Sequence, residues 1–341
     1  MSKPDIRVIV PCYNSDLTVE RCISSILESK GVDFELYVAD DGCNKILYTL
    51  TEKFPLKIIR TIGQSGAGKA RNAGTDGFCG RVIAFIDSDV QIRPETLAIL
   101  TDPILNNKAD ATTGCYSKTL RNNFFETYKH HYLAYRYTAI SGYLRNAFSS
   151  AICAIDFNMF VQIGGFREGY TGAGPEDIIT GIDLTAKGAR ILSVPEASGV
   201  HLASLNFIKL LKNDLRKGSE DSYVHFLRKV PFRDNRHVST ADMFAVFFAC
   251  LVPLMVSLSH FTGLIPVVFL TLIYTSARIS FIIKAFGGLG FIFAIKSFCL
   301  TWVLDIVRGV ALINGAFSYL LEAASSGRYK PFTGKIELNR Q

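Results

Sequence analysis

The side chains with the clearest capacity for chemistry are carboxylates at the ends of apolar runs. The run Arg81-Val-Ile-Ala-Phe-Ile86 stops at Asp87-Ser88-Asp89. Residues two apart on a strand share a face, so a buried strand ending this way presents both acids at its carboxyl edge. There they can hold a hard divalent cation and leave coordination positions for phosphate oxygens. The chemistry of such a pair is neutralisation of a departing diphosphate. The same spacing also makes turns and helix caps, so the surroundings must decide.

Those surroundings alternate between strand and helix patterns. Expected strands are Ile6-Arg-Val-Ile-Val10, Phe34-Glu-Leu-Tyr-Val-Ala39, Leu56 to Ile62 and Val82 to Ile86. Between them, helical spacing runs over Ser15–Glu28 and Ile46–Lys53, and a Gly-rich loop over Gly66–Asp76 enters a helix. This order implies an α/β fold with a parallel sheet and right-handed crossovers. Ligands then bind beyond the carboxyl ends of the strands, where Tyr13-Asn14, Asp40-Asp41 and Asp87 to Asp89 all fall. Further on, helices are expected over Thr96–Asn106, Phe124–Asn146 and Asp177–Gly188. Strands are expected over Ala109–Tyr116, Ala151–Asp156 and Arg190–Val194.

Six motifs in register resemble the GT-A glycosyltransferases of family 2, inverting enzymes that use nucleotide sugars. They are Val10-Pro-Cys-Tyr-Asn14, Ala39-Asp-Asp-Gly42, Gly66-Ala-Gly-Lys-Ala-Arg-Asn-Ala-Gly74, Phe85-Ile-Asp-Ser-Asp89, Gly164-Gly-Phe166 and Pro175-Glu-Asp177, spread over roughly residues 6–201. The resemblance implies a GT-A domain, a mostly parallel sheet flanked by helices, and a nucleotide-sugar pocket drawn from Pro11, Tyr13, Asn14, Asp41, Gly66, Arg71, Asn72, Asp87 and Ser88. It implies direct metal contact by Asp89, and contact of Asp87 with ribose or metal, the ion being Mn2+ or Mg2+. It also matches His201 to an occasional third ligand; otherwise His201 is a structural histidine.

Each residue has a plainer reading beside this one. Tyr13 offers a flat face to a base or fills the core. Asp41 accepts from a base N–H, while Asp40 serves a turn. Arg71 contacts the nucleotide or sits on the surface. Asp177 is the candidate general base, taking the acceptor's proton as that oxygen attacks the anomeric carbon; Glu176 beside it orients the acceptor. Both acids also suit the start of a helix. Gly63 to Lys69 copies a phosphate-binding loop until Ala70 stands where that loop needs Ser or Thr. An NTPase is therefore not expected.

The rest of the chain points to a membrane. Of its 341 residues 49% are hydrophobic, and mean hydropathy is +0.24. Met243 to Ala277 contains no Asp, Glu, Lys or Arg; one span needs about 20 residues, so this run suits a hairpin of two spans turning near His260–Gly263. Eight Lys and Arg precede it between Leu205 and Val238, against four acids. Such charge marks the cytoplasmic side and draws anionic lipid; no recognition motif supports nucleic-acid binding. Phe291 to Leu321 is apolar but contains Lys296, Asp305 and Arg308, which favours an interfacial helix over a third span. The expected organisation is a catalytic domain (1–203), a basic linker (204–241), a membrane hairpin (242–284), an interfacial or third membrane helix (285–322) and a basic tail (323–341). Met1 to Asp5 carries no apolar signal region, and the eight cysteines lack metal spacing, so a cytoplasmic catalytic domain on the inner or plasma membrane is expected. A UDP- or GDP-sugar donor and a membrane-associated acceptor (lipid-linked saccharide, polyprenyl phosphate or glycolipid) follow as expected partners. The alternatives are an inactive sugar-nucleotide binding protein and a nucleotidyltransferase.

Overall fold

The computed structural model describes residues 4–42, 46–61, 65–138, 142–170, 174–230 and 240–325. The elements in chain order are β1 (Ile6–Cys12), α1 (Val19–Leu27), β2 (Glu35–Asp40), α2 (Ile46–Lys53), β3 (Lys57–Arg60), α3 (Ala67–Ala73), β4 (Val82–Ile86), β5 (Val90–Ile92), α4 (Thr96–Leu105) and β6 (Ala111–Tyr116). There follow α5 (Phe124–Thr138), β7 (Gly142–Leu144), β8 (Ile152–Asp156), α6 (Phe157–Ile163), α7 (Glu176–Ala186), β9 (Ile191–His201), α8 (Phe207–Arg228), α9 (Thr240–Thr262), α10 (Ile265–Phe286) and α11 (Phe291–Ser325). They form two compact units, one from 1–118 with 137–203, the other from 119–136 with 204–329.

The first unit is built on one sheet in the order β3-β2-β1-β4-β8-β6-β9-β5, with β7 also on β9. β3, β2, β1 and β4 are mutually parallel, as the alternating pattern requires. Beyond β4 the sheet is mixed: β8 runs antiparallel to β4 and β6, while β9 is parallel to β6 and antiparallel to β5 and β7. Direction was not legible there because a strand buried on both faces reads the same either way. Period-two alternation divides the core. Val8, Val10, Val82, Ala84 and Ile86 pack with α1 and α4 on one face, while Ile9, Ile83 and Phe85 pack with Phe148, Phe160 and Phe166 on the other.

Several boundaries differ from the sequence expectation. The helix expected over 124–146 ends at Thr138, and residues 142–144 are the edge strand β7, opened by Gly142 at φ +88°. The last strand extends to His201 rather than stopping at Val194. β5 and α6 were not anticipated, being too short to show a period. α6 nonetheless carries its start signal, since the Asp156 carboxylate accepts from the N–H groups of Asn158 (3.0 Å) and Met159 (3.2 Å). Residue 62 of the expected third strand, residues 63 and 64 of the loop, Arg233 and Arg236, and the basic tail from 326 lie outside the described residues.

The second unit is helical. Two of its helices, over Ala241–Thr262 and Ile265–Leu289, are long and apolar enough to cross a membrane, with mean hydropathies of 2.1 and 1.7. They are joined at Gly263, as the sequence led us to expect. One alternating chain of charges ties all five helices of this unit. Lys129 of α5 pairs with Asp214 of α8 (3.0 Å), Asp214 with Arg308 of α11 (2.9 Å), and Arg308 with Asp305 (2.9 Å). Asp305 pairs with Arg278 of α10 (2.8 Å), which meets Asp242 of α9, which meets Arg136 of α5. Thus α11 turns its polar residues inward, with Ser297, Thr301 and Asp305 fully buried. Ile292, Ile295, Val303, Val310, Ile313 and Phe317 are exposed on its other side.

Candidate active site

The sheet places the sequence-derived residues of the first unit along one edge, but it employs them unequally. β1 ends in Cys12, and its Pro11 is buried beside Ala39 of β2. Beyond it Tyr13 is 40% exposed, so it is not a core tyrosine. Asn14 takes a left-handed φ of +47°, a conformation Asn tolerates better than most residues. Ser15 fixes this turn, its hydroxyl donating to the Tyr13 carbonyl (2.9 Å) and lying 2.6 Å from the Ser88 hydroxyl. Ser88 therefore binds the two strand ends together.

Asp40 and Asp41 are both buried. The Asp40 carboxylate accepts from the Gly42 N–H (3.1 Å) and from Arg60 (3.2 Å), a turn role as expected. Asp41 accepts from the N–H groups of Ser65 and Gly66, both at 2.8 Å, and from the hydroxyls of Ser65 (2.7 Å) and Thr61. Its carboxylate thus anchors the Gly-rich loop. Asn72 is also engaged internally. It donates to the Phe166 carbonyl (2.9 Å) and Glu168 (2.8 Å), and accepts from the Phe166 N–H (2.9 Å). α3 and the Gly164-Gly165-Phe166 segment pack so closely that a Cβ on Gly68 would stand 2.4 Å from the Arg167 carbonyl oxygen; only glycine fits.

Arg71 is buried, contrary to its reading as a surface residue. It donates to Asp87 (2.7 Å) and to Glu176 (3.0 Å), and lies 5.2 Å over the Phe166 ring. Burial alone would lower its pKa, but the two carboxylates outweigh that and raise it, so the guanidinium stays charged. Its Nε–H has no partner among the described residues. Glu176 uses one oxygen for Arg71 and the other for the Gly174 N–H (3.0 Å). Its carboxylate is thereby engaged in holding the start of α7. Asp177, one residue further, is partly exposed on the first turn of α7.

The acidic pair divides its work. Asp89 lies 3.2 Å from Nε2 of His201, each side chain about one-third exposed. Val90 and His201 are register partners in β5 and β9, which explains how residues so distant in sequence meet. Asp87 pairs with Arg71 instead. Among the described residues no group of three His, Cys, Asp or Glu side chains is arranged to hold a metal unaided; the expected set of Asp87, Asp89 and His201 is brought together only as the Asp89–His201 pair.

Tyr116, at the carboxyl end of β6, was not singled out from the sequence. Burial, then the charges of Asp87 and Asp89, then Tyr137 and Asp177, push its phenol well above the usual tyrosine range. The charges of all three carboxylates thus add to the effect of burial on this one hydroxyl. The available signal was its position, an aromatic closing an apolar strand. The seven cysteines among the described residues are free. Burial, reinforced by neighbouring acids, raises the Cys22 thiol; burial raises Cys153 too, so both are inert core groups.

Comparison with known proteins agrees with this architecture. Residues 7–167 match the family model for glycosyl transferase family 2. The succinoglycan biosynthesis protein ExoO of Rhizobium meliloti is 39% identical over 97 residues, covering 28% of each chain. The glycosyltransferase AglE of Haloferax volcanii is 24% identical over 244 residues, 67% of this chain and 77% of that one. The chain spans about a third or less of the length of the first curated relatives it matches. Among solved structures, the mannosyltransferase PcManGT of Pyrobaculum calidifontis, in complex with GDP-Man and Mn2+, superposes with a TM-score of 0.53 at 15% identity, over 95% of this chain and 87% of that one. That likeness is one of fold. Residues 7–167 thus carry the sequence pattern of glycosyl transferase family 2, on a mixed sheet with flanking helices that shares its fold with PcManGT.

Proposed function

We propose that the protein is a metal-assisted, inverting glycosyltransferase. It moves a sugar from a UDP- or GDP-sugar to a hydroxyl or phosphate of a membrane-associated acceptor. The observation that carries this reading is the Asp89–His201 pair (3.2 Å) at the sheet edge that also holds Asp87, clamped by Arg71 (2.7 Å), with Tyr116 edge-on to His201. PcManGT binds GDP-Man and Mn2+ on the same fold, which favours a nucleotide-sugar donor and a divalent ion here.

The residues fit such an ion. At 3.2 Å apart, the Asp89 carboxylate and the His201 imidazole could both reach one divalent ion. A mixed oxygen and imidazole set suits Mn2+. When bound, the ion supplies positive charge against the leaving diphosphate. Asp89 and His201 would hold it, and Asp87 would serve ribose or ion with the oxygen not clamped by Arg71. Tyr13 offers its exposed ring to the base. Asp177 accepts the proton of the attacking hydroxyl at its carboxylate; for a phosphate acceptor no base is needed. Attack opposite the diphosphate inverts the anomeric carbon. Much of the acceleration comes from alignment and fixed charge.

Membrane attachment extends the reading. α9 and α10 form the hairpin, and the basic stretch ahead of α9 favours a cytoplasmic catalytic domain. α11 is proposed to lie in the membrane plane. Its residues 308–319 run alongside α8, with Asp214 on Arg308, Gly218 against Ala311 and Phe226 stacked on Tyr319. A spanning α11 would draw α8, with its exposed Lys209, Lys212 and Lys217, into lipid at high cost. Lying flat, α11 immerses its apolar side and keeps α8 wet.

The deciding experiment offers the purified protein in lipid nanodiscs a panel of UDP- and GDP-sugars with Mn2+, Mg2+ or chelator. Metal-dependent release of one nucleoside diphosphate is expected, with an inverted linkage once an acceptor is supplied. Binding without turnover for every donor and lipid-phosphate acceptor would make it a binding protein. Release of nucleoside monophosphate or pyrophosphate would make it a nucleotidyltransferase.

A further inference from the structure

Around the proposed transfer site most polar groups are committed to the protein itself. Asp41 holds the loop, Asn72 holds the 166–168 segment, Arg71 bridges Asp87 and Glu176, Glu176 returns that bond, and Ser88 holds Ser15. The Tyr116 hydroxyl differs, because it makes no hydrogen bond with any described residue. Its ring, in contrast, is fixed from three directions. It packs on the apolar core that contains Ile86, Val90 and Ile152. It stands edge-on to His201 at 5.4 Å between centroids, and edge-on to Tyr137 at 6.1 Å. The strand beneath it is equally fixed, since Tyr116 is the register partner of Gly199, two residues before His201.

A ring so held, with a hydroxyl so unused, has the form of a substrate contact. A phenol is both donor and acceptor, and a partly buried one normally finds a partner. The missing partner belongs where the site has room for an oxygen. The neighbours fix which oxygen. On one side is His201 with Asp89, the proposed ion and diphosphate end. Asp177, the proposed base, stands on the first turn of α7, and its charge joins burial and the charges of Asp87 and Asp89 in raising the Tyr116 phenol. Between a diphosphate and a base lies the sugar in transit.

We propose that Tyr116 is a substrate-contacting residue of the transfer site, its O–H donating to an oxygen of the sugar being moved. This rests on the transferase reading and deepens it. The nucleoside diphosphate alone lacks that oxygen, so Tyr116 distinguishes a nucleotide sugar from its bare nucleotide. A site that hydrogen-bonds a substrate oxygen is left unsatisfied by a ligand lacking it.

The test compares wild type, Tyr116→Phe and Tyr137→Phe in nanodiscs. Titration calorimetry measures GDP, GDP-mannose, UDP and UDP-N-acetylglucosamine, and steady-state kinetics follow diphosphate release from whichever sugar is used. Tyr116→Phe keeps the ring and its packing. The expected result is unchanged affinity for the bare nucleotide and kcat/KM for the sugar lowered about tenfold, the loss of one neutral hydrogen bond. Tyr137→Phe, which touches the same ring but points its hydroxyl at Ser149, should leave both within twofold. Unchanged kcat/KM in Tyr116→Phe overturns the proposal. So does an equal fall for nucleotide and sugar together with a lower Tm, which would mark a packing role. If wild type binds none of the four nucleotides, the transferase reading itself falls, and the proposal with it.

Discussion

Arg71 is the residue whose loss the structure prices most clearly. Replacing it with Met keeps much of the side-chain volume against Phe166 but removes two ion pairs. Glu176 is left buried at 5% exposure with one oxygen unpaired. Asp87 is 30% exposed on its side chain, so water compensates it in part. Removing one partner of a buried pair costs about 3–5 kcal/mol; with Asp87 rewetted, about 3 kcal/mol is expected. The double variant Arg71→Met with Glu176→Gln leaves no buried charge at α7 and should recover about 1–2 kcal/mol, the coupling typical of contacting residues. Intrinsic fluorescence would report the wrong unit, because the single tryptophan, Trp302, lies in α11. Hydrogen exchange resolved by peptide is the suitable assay. In Arg71→Met, amides of β4 and α7 should exchange about a hundredfold faster, while α9 and α10 are unaffected. Unaltered exchange in β4 and α7 would show that the two pairs hold nothing together, and the account of Arg71 as their clamp would be wrong.

Three other outcomes are expected. Asp177→Asn should lower kcat for a hydroxyl acceptor by about 100-fold or more with nucleotide affinity within twofold; near-normal turnover would remove Asp177 from the base role. Burial alone would raise the Asp214 carboxyl, but Lys129 and Arg308 together hold it at about 2, below an unfolded value of about 3.9. That stabilisation is complete above about pH 4, fades as pH falls from about 4 to 2, and amounts to about 2 kcal/mol; Trp302 fluorescence should show Asp214→Asn losing this pH dependence. Finally, Cys79 and Cys299 are both exposed in the protein, yet in nanodiscs a water-soluble maleimide should label Cys79 much faster than Cys299 on α11. Equal labelling would put α11 in water.

The sequence determined most of the elements and the order of the candidate residues along the chain. Strand runs ending at Tyr13, Asp41 and Asp89 were legible because burial on a strand leaves a continuous apolar signal, and crossover order follows from alternation. The pair of long apolar helices α9 and α10 was legible for a similar reason, since an uncharged run of 35 residues (243–277) leaves a continuous apolar signal. Tertiary structure decided what each polar residue does. Arg71 and Glu176 meet across 105 positions, and Asn72 and Glu168 across 96; no local spacing announces such pairs. It also decided that Asp305 and Arg308, costly to lipid if bare, are neutralised inside a bundle. It set the unremarked end of β6 beside His201, with Tyr116 edge-on to the imidazole. Local patterns follow from backbone geometry and burial within a few residues. Charge partnership depends on where the folded sheet and bundle bring distant chain segments, and that is set by the packing of the whole unit.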